Sequence, residues 1–221
     1  MSVRRAAISG ALLGCALGAA GLAAGLAAGL ALSARNATPA LPAPGAGPQE
    51  THLPFGPIRP PRVMPPVAMT AEDGAPTTLA ALTQGRYTLL QLMFTGCSVT
   101  CPIQGAIFQA AQTEMAENGV EAQLLSVSID VVGDRPDAMT RWLSGFGSGP
   151  RWRGAIPSTE GVGPLVDALN GRGVGPDVHD ARVYLIAPSG RLIFVTEDMP
   201  SPRRLVKLLR DAAAFEARAP G

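Results

Sequence analysis

The chain has 221 residues, 18 Lys and Arg against 17 Asp and Glu for a formal charge of +1, and only 5% aromatic residues. This length suits one domain with appendages rather than two full domains. The near-neutral balance supplies no basic stripe or patch, so nucleic acid is excluded as a partner.

After Arg4 and Arg5, residues 6–32 carry no charge and are mostly Ala, Gly and Leu. At 1.5 Å per residue this stretch crosses a hydrocarbon core of about 30 Å, and residues 1–32 are read as an N-terminal membrane anchor, with a cleaved signal segment as the alternative. The arginine pair on the short side places the N-terminus in the cytoplasm and everything after Arg35 on the far face. Glycines at 10, 14 and 18, and again at 21, 25 and 29, allow close approach of two such helices, so a homodimer through the glycine-rich span is expected as a possibility. Cys15 falls inside the span and is read as a membrane cysteine rather than a lipoprotein cleavage site. Residues 33–66 contain ten prolines, among them Pro57, Pro60 and Pro61, and read as an extended spacer.

The folded domain is expected over residues 67–217. Glu72-Asp73-Gly74 marks a turn, and Tyr87 to Met93 is an apolar run of strand length. Ile107, Phe108, Ala111 and Met115 recur at helical spacing and Asn118-Gly119 supplies a stop. Gln123 to Ile129 reads as a second buried strand. Asp134 and Pro136 are expected to act as N-cap and first residue of another helix that carries Met139, Trp142, Leu143 and Phe146 on one face. A short helix follows near residues 162–169. Residues 182–187 and 191–195 flank Pro188-Ser189-Gly190 in the manner of a β-hairpin, and Ser201-Pro202 opens a last amphipathic helix. The order strand, helix, strand, helix, hairpin, helix is that of an α/β thioredoxin-like domain with a central mixed sheet, here preceded by a single transmembrane helix.

Cys97 and Cys101 stand where the first strand runs into the first helix. Residues four apart share a helix face, and a helix N-terminus lowers thiol pKa values. The pair is compatible with a structural disulfide, a redox switch or a soft-metal site. The three-residue spacer is not the two-residue spacer of the common redox motif. A peroxidase of this fold needs Thr three residues before its reactive cysteine, where this chain has Phe94. His179 precedes the hairpin, in a loop that a thioredoxin-like arrangement sets beside the cysteine corner.

Phe94-Thr95 leading to Cys97-x3-Cys101-Pro102, then Ser126-Val127-Ser128-Ile129-Asp130 with Asp134-Arg135-Pro136, Trp152, and His179 ahead of Tyr184 to Gly190 together resemble the Sco/SenC family, the copper-binding thioredoxin-like proteins of cytochrome c oxidase assembly. The resemblance spans roughly residues 67–215. It implies that Cys97, Cys101 and His179 bind one copper ion, as Cu(I) or Cu(II), and that Asp130 stands beside the site or meets a partner. Thiolates suit Cu(I), and an imidazole suits either oxidation state. Family members commonly carry Pro after the first cysteine and after the aspartate, where this chain has Ser98 and Val131, and often Ser or Thr after the histidine, where it has Asp180. The implied function is a membrane-tethered copper metallochaperone that serves the copper-site subunit of cytochrome c oxidase or other copper chaperones, or primes that subunit's thiols. Alternatives are a metal-free thiol-disulfide oxidoreductase and a copper or redox sensor, so whether the chain is an enzyme stays open. The expected location is the bacterial inner membrane, with the globular domain in the periplasm.

Overall fold

Long apolar runs that alternate between two buried faces dominate the middle of the chain, and they become the centre of an eight-stranded sheet. The computed structural model describes residues 55–171 and 181–216, all within the unit Pro48–Gly221. Its strands are β1 (Gly56–Val63), β2 (Ala68–Ala71), β3 (Pro76–Thr78), β4 (Tyr87–Met93), β5 (Ala122–Ser128), β6 (Trp152–Pro157), β7 (Val183–Ile186) and β8 (Arg191–Val195). Its helices are α1 (Leu79–Thr83), α2 (Thr100–Glu117), α3 (Pro136–Gly145), α4 (Thr159–Leu169) and α5 (Pro202–Glu216). The strand order is β1-β8-β7-β4-β5-β6-β2-β3. β4, β5 and β6 run parallel to one another, and the remaining pairs are antiparallel. The expected mixed sheet and α/β order are therefore present.

Side-chain alternation along β4 sends Leu89 and Met93 to one face and Leu90 and Leu92 to the other. The first face packs on α2, α3 and α5 through Phe108, Met139, Leu143, Leu205 and Leu209. The second packs on α1 and α4 through Leu79, Leu82, Leu165 and Leu169. Two apolar layers thus clamp the sheet, which fixes its register because a one-residue slip would exchange the two faces. Ile129 N donates to Met93 O at 2.9 Å, so the ladder between β4 and β5 continues to the point where both strands turn into loops. Those two loops carry the site.

Three local expectations are revised. Gly56–Val63, inside the stretch read as spacer, is an edge strand that pairs with β8 from Gly56↔Val195 to Val63↔Arg191. Its prolines are tolerated because an edge strand needs donors on one side only. β2, β3 and β6 add strands at the other edge that the sequence reading did not place. Asp134 does not cap α3: the N-cap is Arg135, with no side-chain cap bond, and Pro136 is the first helical residue. The predicted membrane span, residues 6–32, lies outside the described residues; among the described residues no helix is long and apolar enough to cross a membrane.

Candidate metal centre

The corner between β4 and α2 is a tight turn, with Cys97 N donating to Phe94 O at 3.1 Å. It ends in a helix whose N-cap, Val99, has no side-chain acceptor. The first amides of a helix need acceptors. Here sulfur serves: Cys101 N donates to Cys97 Sγ at 3.3 Å. Pro102 is accommodated because the first helical turn lacks intrahelical N–H bonds.

The two thiols are not joined in a disulfide, and they are unequal. Cys97 is half-buried and Cys101 is fully buried. Partial burial pushes the Cys97 thiol up, but hydrogen bonds from Cys101 and the amides of Val99 and Thr100 outweigh it and hold this thiol below its ordinary value. Burial pushes Cys101 to about 12, helped by its bond to Cys97 and by the charges of Cys97 and Asp134, against a smaller opposing effect at Phe94. Cys97 is therefore the sulfur that ionises first and meets solvent.

Asp134 is the buried carboxylate of the corner, 4% exposed. It accepts from Thr95 N at 3.1 and 3.2 Å, from Thr95 Oγ1 at 2.5 Å and from Ser128 Oγ at 2.6 Å. The same Ser128 hydroxyl accepts from Asp130 N at 3.1 Å. One side chain thus ties the turn before Cys97 to the end of β5. Asp130, the expected neighbour of the site, is exposed and uses its carboxylate to accept from Gly133 N at 2.8 Å, closing its own loop. A Cβ on Gly133 would run into the Asp130 carboxylate and push it off this bond. The sequence reading missed the role of Asp134 because an aspartate two residues before a helix-opening proline has a sufficient local explanation.

Beneath the corner, Ser126 Oγ accepts from Gln91 Nε2 and from Trp152 Nε1, each at 2.9 Å. Trp152 packs edge-on against Phe108 and Trp142, with centroids 5.7 and 6.0 Å away, so the face of the sheet that supports α2 is rigid and aromatic. At the surface, Val99, Ile103 and Val132, on the two segments that flank the corner, are 70%, 51% and 74% exposed.

Two sulfurs four residues apart, one on the surface and one behind it, form a donor set that suits a soft cation. Among the described residues no group of three or more His, Cys, Asp and Glu side chains is placed to hold a metal ion. His179, the expected third ligand, lies outside the described residues.

The SCO1/SenC family's sequence profile matches residues 57–159. No curated protein matches the chain. Among solved structures, a SCO1/SenC family lipoprotein from Bacillus anthracis is 21% identical, with a TM-score of 0.61 over 71% of this chain and 99% of its own. Arabidopsis thaliana ScoI with copper bound is 20% identical, with a TM-score of 0.59 over 69% and 99%. Yeast Sco1 with copper bound is 19% identical, with a TM-score of 0.59 over 73% and 92%.

Proposed function

We propose, from the match of the SCO1/SenC family's profile to residues 57–159, that this chain is a copper metallochaperone of that family in which Cys97, Cys101 and His179 hold one copper ion as cargo. The observation that carries the reading is the unequal thiol pair at the N-terminus of α2: a half-buried Cys97 that ionises readily, backed by a buried Cys101. Copper in the ScoI and Sco1 relatives supports the choice of metal. A pair of thiolates holds Cu(I), and an imidazole from His179 stabilises Cu(II).

Transfer proceeds by ligand exchange. The incoming partner's thiol reaches Cys97 first, since that sulfur meets solvent, while Cys101 keeps hold from behind until the second exchange. Exposed Val99, Ile103 and Val132 beside the corner suit contact with a protein partner rather than with a free ion. The recipient is the copper-site subunit of cytochrome c oxidase or another copper chaperone. BsSco, a structural relative 18% identical with a TM-score of 0.59, is a member of the Sco family of cytochrome c oxidase assembly proteins, which supports this direction. In the cell, residues 6–32 anchor the chain in the bacterial inner membrane, and the domain faces the periplasm; the B. anthracis relative, a lipoprotein, is consistent with attachment to a membrane. Asp130 meets the partner or stands beside the loaded site.

A second reading keeps the thiols and dispenses with the metal. The depressed pKa of Cys97 favours it, because a thiolate attacks a partner's disulfide and Cys101 then resolves the mixed disulfide. Two electrons pass to the partner's sulfurs as Cys97 and Cys101 join. BsSco is described as having a disulfide switch.

Titration of the purified full chain with Cu(I) and Cu(II) separates the two. The copper reading expects one ion per chain, a thiolate-to-copper charge-transfer band, and His179→Ala weakening Cu(II) binding and shifting that band. If His179→Ala binds Cu(II) unchanged, the ligand assignment is wrong. Reduction of an oxidised dithiol partner at wild-type rate by His179→Ala, with no copper binding in either protein, establishes the oxidoreductase instead.

A further inference from the structure

α2 buries a stripe made of Cys101, Gln104, Gly105, Phe108, Ala111 and Met115. Five of these are small, sulfur-containing or apolar. Gln104 is the exception: it is 2% exposed, and neither its Nε2 nor its Oε1 has a hydrogen-bond partner among the described residues. The domain does not treat its other packed amides this way. Gln112 donates to Gly147 O at 3.1 Å and accepts from Gly149 N at 2.7 Å. Gln123 donates to Thr88 Oγ1 at 2.8 Å, and Gln91, whose Oε1 also lacks a partner, still donates to Ser126 Oγ at 2.9 Å, so only Gln104 is unpaired at both ends. An amide left wholly unpaired in a dry interior destabilises the fold that contains it.

Its position suggests what it is kept for. Residues three apart on a helix are surface neighbours, and long helical side chains lean toward the N-terminus, over the preceding turn. Helical geometry therefore puts the turn that carries Cys101 within reach of the Gln104 side chain. As a neutral thiol, buried Cys101 asks little of its surroundings. When both sulfurs hold copper the thiol proton is gone, and a buried sulfur bearing negative charge requires donors. Cys101 N is already directed at Cys97 Sγ, and the main chain at Phe94 favours a charged Cys101 sulfur by less than burial opposes it.

We propose that Gln104 is a positioning residue for the thiol pair, whose side-chain N–H turns onto Cys101 Sγ when that sulfur is bound to a soft monovalent cation. The amide is then unpaired in the free protein and paired in the loaded one. The difference between the two states, rather than either alone, is what it contributes to affinity. This inference rests on the copper reading above.

The test compares the purified full chain with Gln104→Leu, which keeps the volume and removes the amide. In the metal-free protein, Gln104→Leu raises Tm by about 3 °C or more, because a buried unpaired group has been removed. In competition with a chromophoric Cu(I) chelator, the same variant raises the Cu(I) dissociation constant about tenfold, the scale of one hydrogen bond to a charged acceptor. Gln104→Ala, which leaves a cavity and lowers Tm, gives the same loss of affinity and carries that readout if leucine does not pack. Unchanged Cu(I) affinity in both variants overturns the proposal. So does a lower metal-free Tm in correctly folded Gln104→Leu, which means that an internal water already satisfies the amide. If wild type holds no Cu(I), the copper reading itself fails; if wild type and variants hold it equally, only this inference does.

Discussion

Replacing Asp134 by alanine removes the acceptor for three donors at once: Thr95 N, Thr95 Oγ1 and Ser128 Oγ. The two hydroxyls can rotate toward other acceptors, but the Thr95 amide is fixed by the turn. Leaving a buried donor unpaired costs about 1–3 kcal/mol, and bonds to a charged acceptor sit at the upper end of that range. One stranded amide plus two weakened hydroxyls puts Asp134→Ala at about 3–5 kcal/mol of lost stability. Asp134→Asn keeps the volume and one acceptor, and is expected to cost about 1–2 kcal/mol. Thr95→Val removes one donor of the three, and in a double-mutant cycle with Asp134→Ala the coupling is expected near 1–2 kcal/mol. Urea denaturation of the metal-free chain, followed by Trp fluorescence, reads all four corners of the cycle. An Asp134→Ala cost under about 1 kcal/mol, or a coupling below about 0.5 kcal/mol, refutes the assignment of this carboxylate as the brace of the cysteine corner.

Alkylation of the metal-free chain, mapped by peptide mass, should modify Cys97 well before Cys101. The lowered pKa of Cys97 makes its rate level off at a lower pH than an ordinary thiol, whereas Cys101, pushed to about 12, stays protonated through pH 10; equal rates at pH 8 would contradict the asymmetry. Gly105→Ala tests the packing of α2 on α3. Helix propensity alone makes this change stabilising by about 1 kcal/mol. A Cβ there would instead meet the Phe146 ring at 2.5, 2.6 and 2.9 Å, with that ring lodged against Trp142 and Trp152, so a net loss of about 1–2 kcal/mol and a lower Tm are expected. A rise in Tm on thermal denaturation would show that the ring gives way.

Much of the centre of the fold was legible because β4, α2 and β5 are long enough for their periodicity to be unambiguous. Leu89 to Met93 and Leu124 to Val127 are buried on both faces, and Phe108, Ala111 and Met115 fall on one helical stripe. β2 and β3, of four and three residues, are too short to carry a period, and Trp152-Arg153-Gly154 at the start of β6 breaks the apolar pattern with a charge and a glycine. β1 was hidden by its own prolines, which look the same in an edge strand as in a spacer. At the site, Cys97 and Cys101 were visible through their spacing. The carboxylate that braces them was not: Asp134 lies 39 residues from Thr95 in sequence, and only the parallel register of β4 and β5 brings the two together. Gln104 was invisible for another reason, since a polar residue on an amphipathic helix ordinarily faces water.

The edge pairing of β1 with β8 has a consequence in time. Gly56 meets Val195, so the first strand of the sheet pairs with the last. A chain made from its N-terminus presents Gly56–Val63 early, and this strand has no neighbour until residues 191–195 have followed it. By contrast β4, α2 and β5 form a local unit able to close as soon as they are made. Contacts between distant parts of a chain are slow to form. The thiol corner, carried by that local unit and braced by Asp134 just beyond it, therefore precedes the closing of the sheet edge. The two sulfurs are thus brought together, and open to oxidation or capture by metal, before the last strand has arrived to finish the fold.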